Sequence, residues 1–446
     1  MPFFKAIIFL LPYVALLWIT ISNWLRLEKS DKYLIAVLSG LCLIIHVFYH
    51  LFIHQMPVIR YGPFFFIDEF GYDNYSWAIA LEWKAGNFPP LWTDQYLGTL
   101  HTGWNRILAF LYYLLGHKPW LGAGVNVVAG VLLVPLVFLA TREIFQTGRE
   151  KQQKETLPLK KPLLAQQLKE LFKSSPEFSA AGITTIYFGF AFWSGFLLRD
   201  MILTAMFLAS IFLILRIYKK RKPWDILALV LILHGLSILR VYSVGFLLAG
   251  PIVYFLFFHR YKKRAWIVLG AGVLLMLGAR ILIPIRDYQD QLLYSFLNNL
   301  PDEGKTSLGS VLFCVRGIPR FFLSPYAWYV SPGAPVIEYM LYPGQWLLYL
   351  LIIPFFLRGT WVCMRENRVA ALFLIIPMML SVFLFLLAYG GSVPRQRLYL
   401  EPLMIIFAGF GLIRKDKGKR IPLYWYIFLV LFIAAHSWSA WQRGLW

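Results

Sequence analysis

The chain has 446 residues, 59% hydrophobic and 18% aromatic, with only 15% charged and a mean hydropathy of +0.63. A soluble domain carries fewer apolar and far more charged residues, so the composition predicts an all-α polytopic membrane protein. The formal charge of +21 argues against nucleic acid by its placement, in short blocks between apolar stretches: Lys219-Lys220-Arg221-Lys222, Arg260 with Lys262-Lys263-Arg264, and Arg414-Lys415 with Lys417, Lys419 and Arg420. Such blocks mark cytoplasmic loops under the positive-inside rule and also meet anionic membrane lipids. Cys42, Cys314 and Cys363 stand in separate segments, with no disulfide or metal-ligand spacing.

A crossing needs about 20 apolar residues. The first candidate, 6–21, lacks a small-residue cleavage site and reads as a retained span rather than a signal peptide. A basic linker, NWLRLEKSDK, leads to a second span at 33–52. With that linker cytoplasmic, the segment 54–103 faces outward. Within it, 74–85 predicts a short amphipathic helix lying flat on the membrane and stopped by Pro89-Pro90. The apolar run 104–115 is too short to cross and reads as a half-span or interfacial helix; 120–140 then returns inward. The connection 142–178 carries Arg142, Arg149, Lys151, Lys154, Lys160, Lys161, Lys169 and Lys173, which assigns it to the cytoplasm.

From there the alternation is regular. The run 180–198 goes out to Arg199-Asp200, 201–218 comes back, 224–239 goes out to Arg240, 241–258 returns, and 265–285 goes out. A second long outer loop, 286–343, holds Arg316, Arg320 and a Pro- and aromatic-rich stretch. Spans at 345–357, 370–388, 398–413 and 422–440 complete about 11 transmembrane helices (roughly 9–13). The expected organisation is two N-terminal spans at 1–53, a first periplasmic loop at 54–103, a transmembrane core at 104–285, a second periplasmic loop at 286–343, and C-terminal spans at 344–446.

The first outer loop interrupts the apolar pattern most sharply. It places Asp68, Glu69, Asp73, Glu82 and Asp94 among tyrosines and tryptophans, side chains that favour a membrane–water boundary. Acidic groups beside a bilayer are costly unless they bind or react. On this topology one membrane face collects Asp68, Glu69 and Asp73, Arg199-Asp200, Arg240, and Arg395 with Arg397, with Arg316 and Arg320 as further candidates. Carboxylates beside guanidiniums suit a reaction that deprotonates an acceptor and supports a departing phosphate. Arginine offers phosphate two parallel donors, which lysine does not. The bland counterpart is that each arginine marks a span boundary. His46, His50 and His54 recur every fourth residue on the second span, a face open to metal but more commonly packed.

Several motifs carry a resemblance. Asp68-Glu69-x-x-Tyr72 opens an outer loop after an early span, Gly86-Asn87-Phe88-Pro89-Pro90 follows, WSGFLLRD ends at Asp200, and Arg395-Gln396-Arg397-Leu398-Tyr399 precedes Glu401-Pro402-Leu403. Together they resemble the GT-C superfamily of membrane glycosyltransferases, including protein O-mannosyltransferases and lipid A aminoarabinose transferases. The likeness covers most of the chain in layout and about 40 positions in motif. This chain departs by an extra N-terminal span, by lacking a His-Pro-Pro motif although His101 lies nearby, and by having no large soluble domain after its last span.

The resemblance implies inverting transfer of a sugar from a polyprenyl-phosphate donor to a protein, lipid or glycan acceptor, on the outer face of a bacterial inner membrane. It assigns Asp68 as general base, with Glu69 and Asp73 as second choices. Asp200 either binds the acceptor or holds a divalent cation with Asp68. Arg199, Arg240, Arg395, Arg397 and Lys84 become donor-phosphate contacts, and Tyr72 and His101 acceptor or sugar contacts. Two rival classes remain. A transporter or flippase predicts charges in mid-span and broken helices, and an O-antigen polymerase or ligase places catalysis in 286–343.

Overall fold

The computed structural model describes residues 27–55, 67–88, 102–152, 175–220, 222–257, 336–389 and 397–413, with isolated positions near the C-terminus. Among the described residues all regular structure is helical: α1 (Lys29–Gln55), α2 (Ile67–Lys84), α3 (Thr102–Leu115), α4 (Trp120–Gln152), α5 (Pro176–Ile186), α6 (Phe188–Ser194), α7 (Asp200–Lys220), α8 (Pro223–Phe257), α9 (Val336–Glu366), α10 (Arg368–Tyr389) and α11 (Glu401–Ile413). Among the described residues four helices are long and apolar enough to cross a membrane: Lys29–Leu51, Trp120–Phe145, Asp200–Lys220 and Pro223–Arg240. The predicted spans 6–21, 265–285 and 422–440 and most of the second outer loop lie outside the described residues.

The burial pattern itself speaks for lipid. On α1, Tyr33, Val37, Leu41, Ile44 and Phe48 recur every three or four residues and face outward, with Ile44 66% exposed. The opposite side buries Ile35, Leu38 and Cys42 and also His46 and His50. An exposed apolar stripe over a partly polar inner face is costly in water and favourable in hydrocarbon. On α8, Trp224, Ile226, Leu227, Val230 and Leu231 are exposed in the same way. This is a helical membrane protein.

Side-chain contacts define two ends of the bundle. At one end Arg142 Nη1 of α4 meets Asp31 of α1 at 3.0 Å, Lys220 of α7 meets Glu143 at 3.3 Å, and Arg216 Nε donates to Asp225 at 2.7 Å. The Arg216–Asp225 pair is buried and fastens α7 to the start of α8. At the other end Asp200, opening α7, pairs with Arg240 of α8. The Tyr254 hydroxyl lies 3.1 Å from that of Tyr218, so the second half of α8 returns to the end from which the first half left. The turning point is Arg240, whose extended backbone (φ −162°, ψ 90°) interrupts the helix. The predicted reversal at Arg240 is therefore present, and Arg142, Lys219 and Lys220 share one end.

Three predicted elements differ. The flat helix over 74–85 is the second half of α2, which begins at Ile67 and includes the acidic motif. Asp68 and Glu69 occupy its first turn, where carboxylates complement the unpaired N–H groups of a helix start, and that stabilises the extra turns. The helix ends at Lys84, ahead of the prolines, and Gly86 supplies the left-handed residue beyond it (φ 86°). The continuous span 180–198 is instead two short helices, α5 and α6, broken at Tyr187 (φ −75°, ψ 101°). Before the break Thr184 and Thr185 turn their hydroxyls back onto the carbonyls of Ala180 and Ala181, an arrangement that weakens a helix locally. Finally, α9 starts at Val336, inside the predicted second loop, and runs to Glu366 rather than from 345 to 357.

Glycines set the closest helix approaches. A Cβ on Gly359 of α9 would collide with the Phe407 carbonyl of α11, and one on Gly411 with the Phe355 carbonyl. A Cβ on Gly409 would lie 2.7–2.8 Å from Ala180 and the Pro176 carbonyl oxygen. Small residues that admit backbone-to-backbone packing are how membrane helices associate without a hydrophobic drive between them.

Candidate functional site

The site is built on the turn Gly195–Arg199, which links α6 to α7 and is buried throughout. Buried backbone groups outside a helix need partners, and four helices send side chains to supply them. His50 Nδ1 of α1 donates to the Gly195 carbonyl at 3.1 Å. Asn126 of α4 donates from Nδ2 to the Phe196 carbonyl at 2.7 Å and also to the Leu198 carbonyl. Trp104 Nε1 of α3 donates to the Leu197 carbonyl at 3.4 Å. Glu69 Oε1 of α2 accepts from the Leu197 amide at 2.7 Å.

The far side of the turn is charged. Arg199 Nη1 donates to the Leu239 carbonyl at 2.8 Å, holding the α8 break in place, and Arg240 Nη2 lies 3.7 Å from Asp200 Oδ1. All three charged side chains are buried. The close passage of α3 over this break explains Gly103, where a Cβ would collide with Ile238. Glu69, Arg199, Asp200 and Arg240, read from three distant stretches of sequence, thus converge on one turn. Asp68, beside Glu69 in the first turn of α2, is half-buried.

Other predicted residues fall elsewhere. Tyr72 is buried in the core, at 7% exposure. Lys84 stands 15 residues from Glu69, about 22 Å along α2, and its ammonium sits over the Trp77 ring at 4.9 Å. Arg397 is 3.0 Å from Glu401, with both side chains buried, so it opens α11 as half of an ion pair. His101 and Arg395 lie outside the described residues. The histidine stripe is a packing feature: His46 Nδ1 meets Ser194 Oγ at 2.8 Å, and a Cβ on Gly130 would collide with the His46 ring. The side chain of His54 lies outside the described residues.

Toward a divalent cation this chain offers Asp68 and Asp200, but Asp200 already faces the Arg240 guanidinium, a poor fit to a hard dication that wants several oxygens. Among the described residues no three His, Cys, Asp or Glu side chains cluster as metal ligands.

Asp73 makes a separate arrangement. It accepts from the Tyr112 hydroxyl at 2.7 Å, and His117 Nε2 lies 3.0 Å from each of its oxygens. Burial first, and the Asp73 carboxylate second, push the Tyr112 hydroxyl well above its ordinary pKa, so it stays a donor. Sequence reasoning missed both partners, as well as Asn126. The one signal available for Asn126 was a lone amide inside an apolar span, which is expensive unless it is paired.

A scan against protein-family models finds no match, and no curated protein matches the chain.

One prediction separates a structural role for Glu69 from a catalytic one. Glu69→Gln keeps an oxygen for the Leu197 amide, so thermal stability in detergent stays within about 2 °C of the natural protein. Glu69→Ala strands that buried amide, at a cost of about 1–3 kcal/mol. Equal loss of stability in the two variants would show that the Leu197 contact is not what Glu69 contributes.

Proposed function

We propose that this protein is an integral-membrane inverting glycosyltransferase of GT-C type. In this reading it has about 11 spans, lies in a bacterial inner membrane and faces its site to the periplasm. It moves a sugar from a polyprenyl-phosphate donor to an acceptor hydroxyl. The observation that supports this best is the convergence of Glu69, Arg199, Asp200 and Arg240 on the 195–199 turn, with Asp68 half-buried alongside.

The chemistry follows from those groups. Asp68 takes the proton of the acceptor hydroxyl, and the freed oxygen attacks the sugar's anomeric carbon from the side opposite the phosphate. The bond from that carbon to the phosphate oxygen breaks, and its electron pair leaves on the polyprenyl phosphate. Arg199 and Arg240 place positive charge where the departing phosphate gathers negative charge. Glu69 and Asp200 fix the turn and the Arg240 side chain, and Arg395 is kept as a further phosphate contact. The donor's tail stays in the bilayer while its head reaches the site, which explains why so much of the chain is membrane-embedded.

The test is mass spectrometry of the polyprenyl-phosphate sugar pool in cells lacking the protein and in cells with it restored. One lipid-linked monosaccharide should accumulate on deletion and fall back on restoration. An unchanged pool sinks the proposal. Accumulation of a lipid-linked repeat unit instead moves the polymerase or ligase reading ahead.

A further inference from the structure

The Asp73–Tyr112–His117 cluster lies outside the chemistry assigned above, yet it is constructed as a site. Asp73 is buried, and a carboxylate in its ionised form can only accept. The Tyr112 hydroxyl donates to Oδ1 at 2.7 Å, and His117 Nε2, within 3.0 Å of both oxygens, must donate as well. In the neutral ring this places the proton on Nε2 and the lone pair on Nδ1. The ring is held on two sides, stacked on Trp77 (centroids 4.7 Å apart, 12° between planes) and edge-on to Tyr112 at 5.1 Å. Its side chain is nevertheless 36% exposed, against 6% for Asp73. Gly116, in the left-handed conformation (φ 82°), turns the chain so that His117 folds back onto α2.

An imidazole whose proton is fixed by a buried carboxylate, whose plane is clamped and whose other nitrogen is open is an oriented acceptor for a hydroxyl. Surface histidines without a role do not need three residues to hold them. The position also fits: Asp73 follows Asp68 by five residues, about 7.5 Å along the same helix. In the glycosyl-transfer reading, a hydroxyl bound at His117 is a second one of the acceptor and not the one that reacts at Asp68. We propose that His117 Nδ1 forms an acceptor subsite that takes a hydrogen bond from a non-reacting hydroxyl of a polyhydroxylated acceptor, with Asp73 and Tyr112 as positioning residues. This rests on the glycosyl-transfer reading and names a saccharide, or a similarly hydroxyl-rich group, as the acceptor class.

The experiment uses the full chain in lipid nanodiscs, with the donor identified from the pool measurement and membrane extract as the acceptor source. Methyl glycosides of a hexose, an N-acetylhexosamine and a pentose serve as soluble competitor probes. His117→Ala should raise the KM for acceptor and the inhibition constant of the best glycoside about tenfold, the loss of one hydrogen bond. The donor KM and kcat should stay within about twofold. His117→Gln, whose amide oxygen still accepts, should recover part of the loss. Asp73→Asn should slow diethyl pyrocarbonate labelling of His117, because an amide can donate to Nε2 and shift the proton to Nδ1. In the natural protein the best glycoside should protect His117 from that reagent. Normal transfer with an unchanged acceptor KM in His117→Ala removes the subsite and leaves the glycosyltransferase standing. No transfer of a lipid-linked sugar by the natural protein overturns both.

Discussion

Asp68→Asn is expected to lower sugar transfer by roughly 10²–10⁴-fold, the range contributed by a positioned general base, while the protein stays folded. The amide keeps the shape of the side chain and its place in the first turn of α2 but cannot take the acceptor's proton. The measurement is single-turnover transfer from the lipid-linked donor by purified protein in nanodiscs, alongside the thermal midpoint. Glu69 is the internal control, because it sits one residue away and is committed to the Leu197 amide at 2.7 Å. Turnover by Asp68→Asn within threefold of the natural protein would remove Asp68 as the base. Loss of turnover together with a large fall in the midpoint would assign it a structural role instead.

The second large effect is on stability. Asn126→Leu keeps the branched shape of the side chain in the second turn of α4 but strands the Phe196 and Leu198 carbonyls, in a buried turn. Each stranded carbonyl costs about 1–3 kcal/mol, so the variant should lose roughly 2–6 kcal/mol. Asn126→Ala adds a cavity to the same loss and should be worse. Because the turn carries Arg199 and leads into Asp200, loosening it should also reduce transfer with no group of the chemistry removed. Urea–detergent unfolding reads the first effect and single-turnover kinetics the second. Unchanged stability would mean that the turn finds other partners and that Asn126 does not hold it.

Much of this was legible in the sequence. The apolar runs at 120–140 and 201–218, the basic blocks between spans and the reversal at Arg240 all depend on local composition, which membrane proteins advertise strongly. The pairing of Asp200 with Arg240 was anticipated only as membership of one membrane face. The break at Tyr187 was not, because Thr184 and Thr185 are compatible with a continuous helix until their hydroxyls turn inward. Asp68, Glu69 and Asp73 read alike as loop carboxylates. Once the first turns of α2 formed, helical geometry sent them to different neighbours: Glu69 to the Leu197 amide, Asp73 to Tyr112 and His117, and Asp68 to a half-buried position.

The sequence by itself determined the solvent this protein folds in and the end of the bundle that carries the basic charge, because both follow from counts along the chain. Only the tertiary structure decided which acidic group clasps a distant backbone amide and which orients a histidine. Those roles depend on partners that lie 39 residues away for Tyr112 on Asp73 and 128 for Leu197 on Glu69. A carboxylate's function is set by what donates to it, and no local pattern records that.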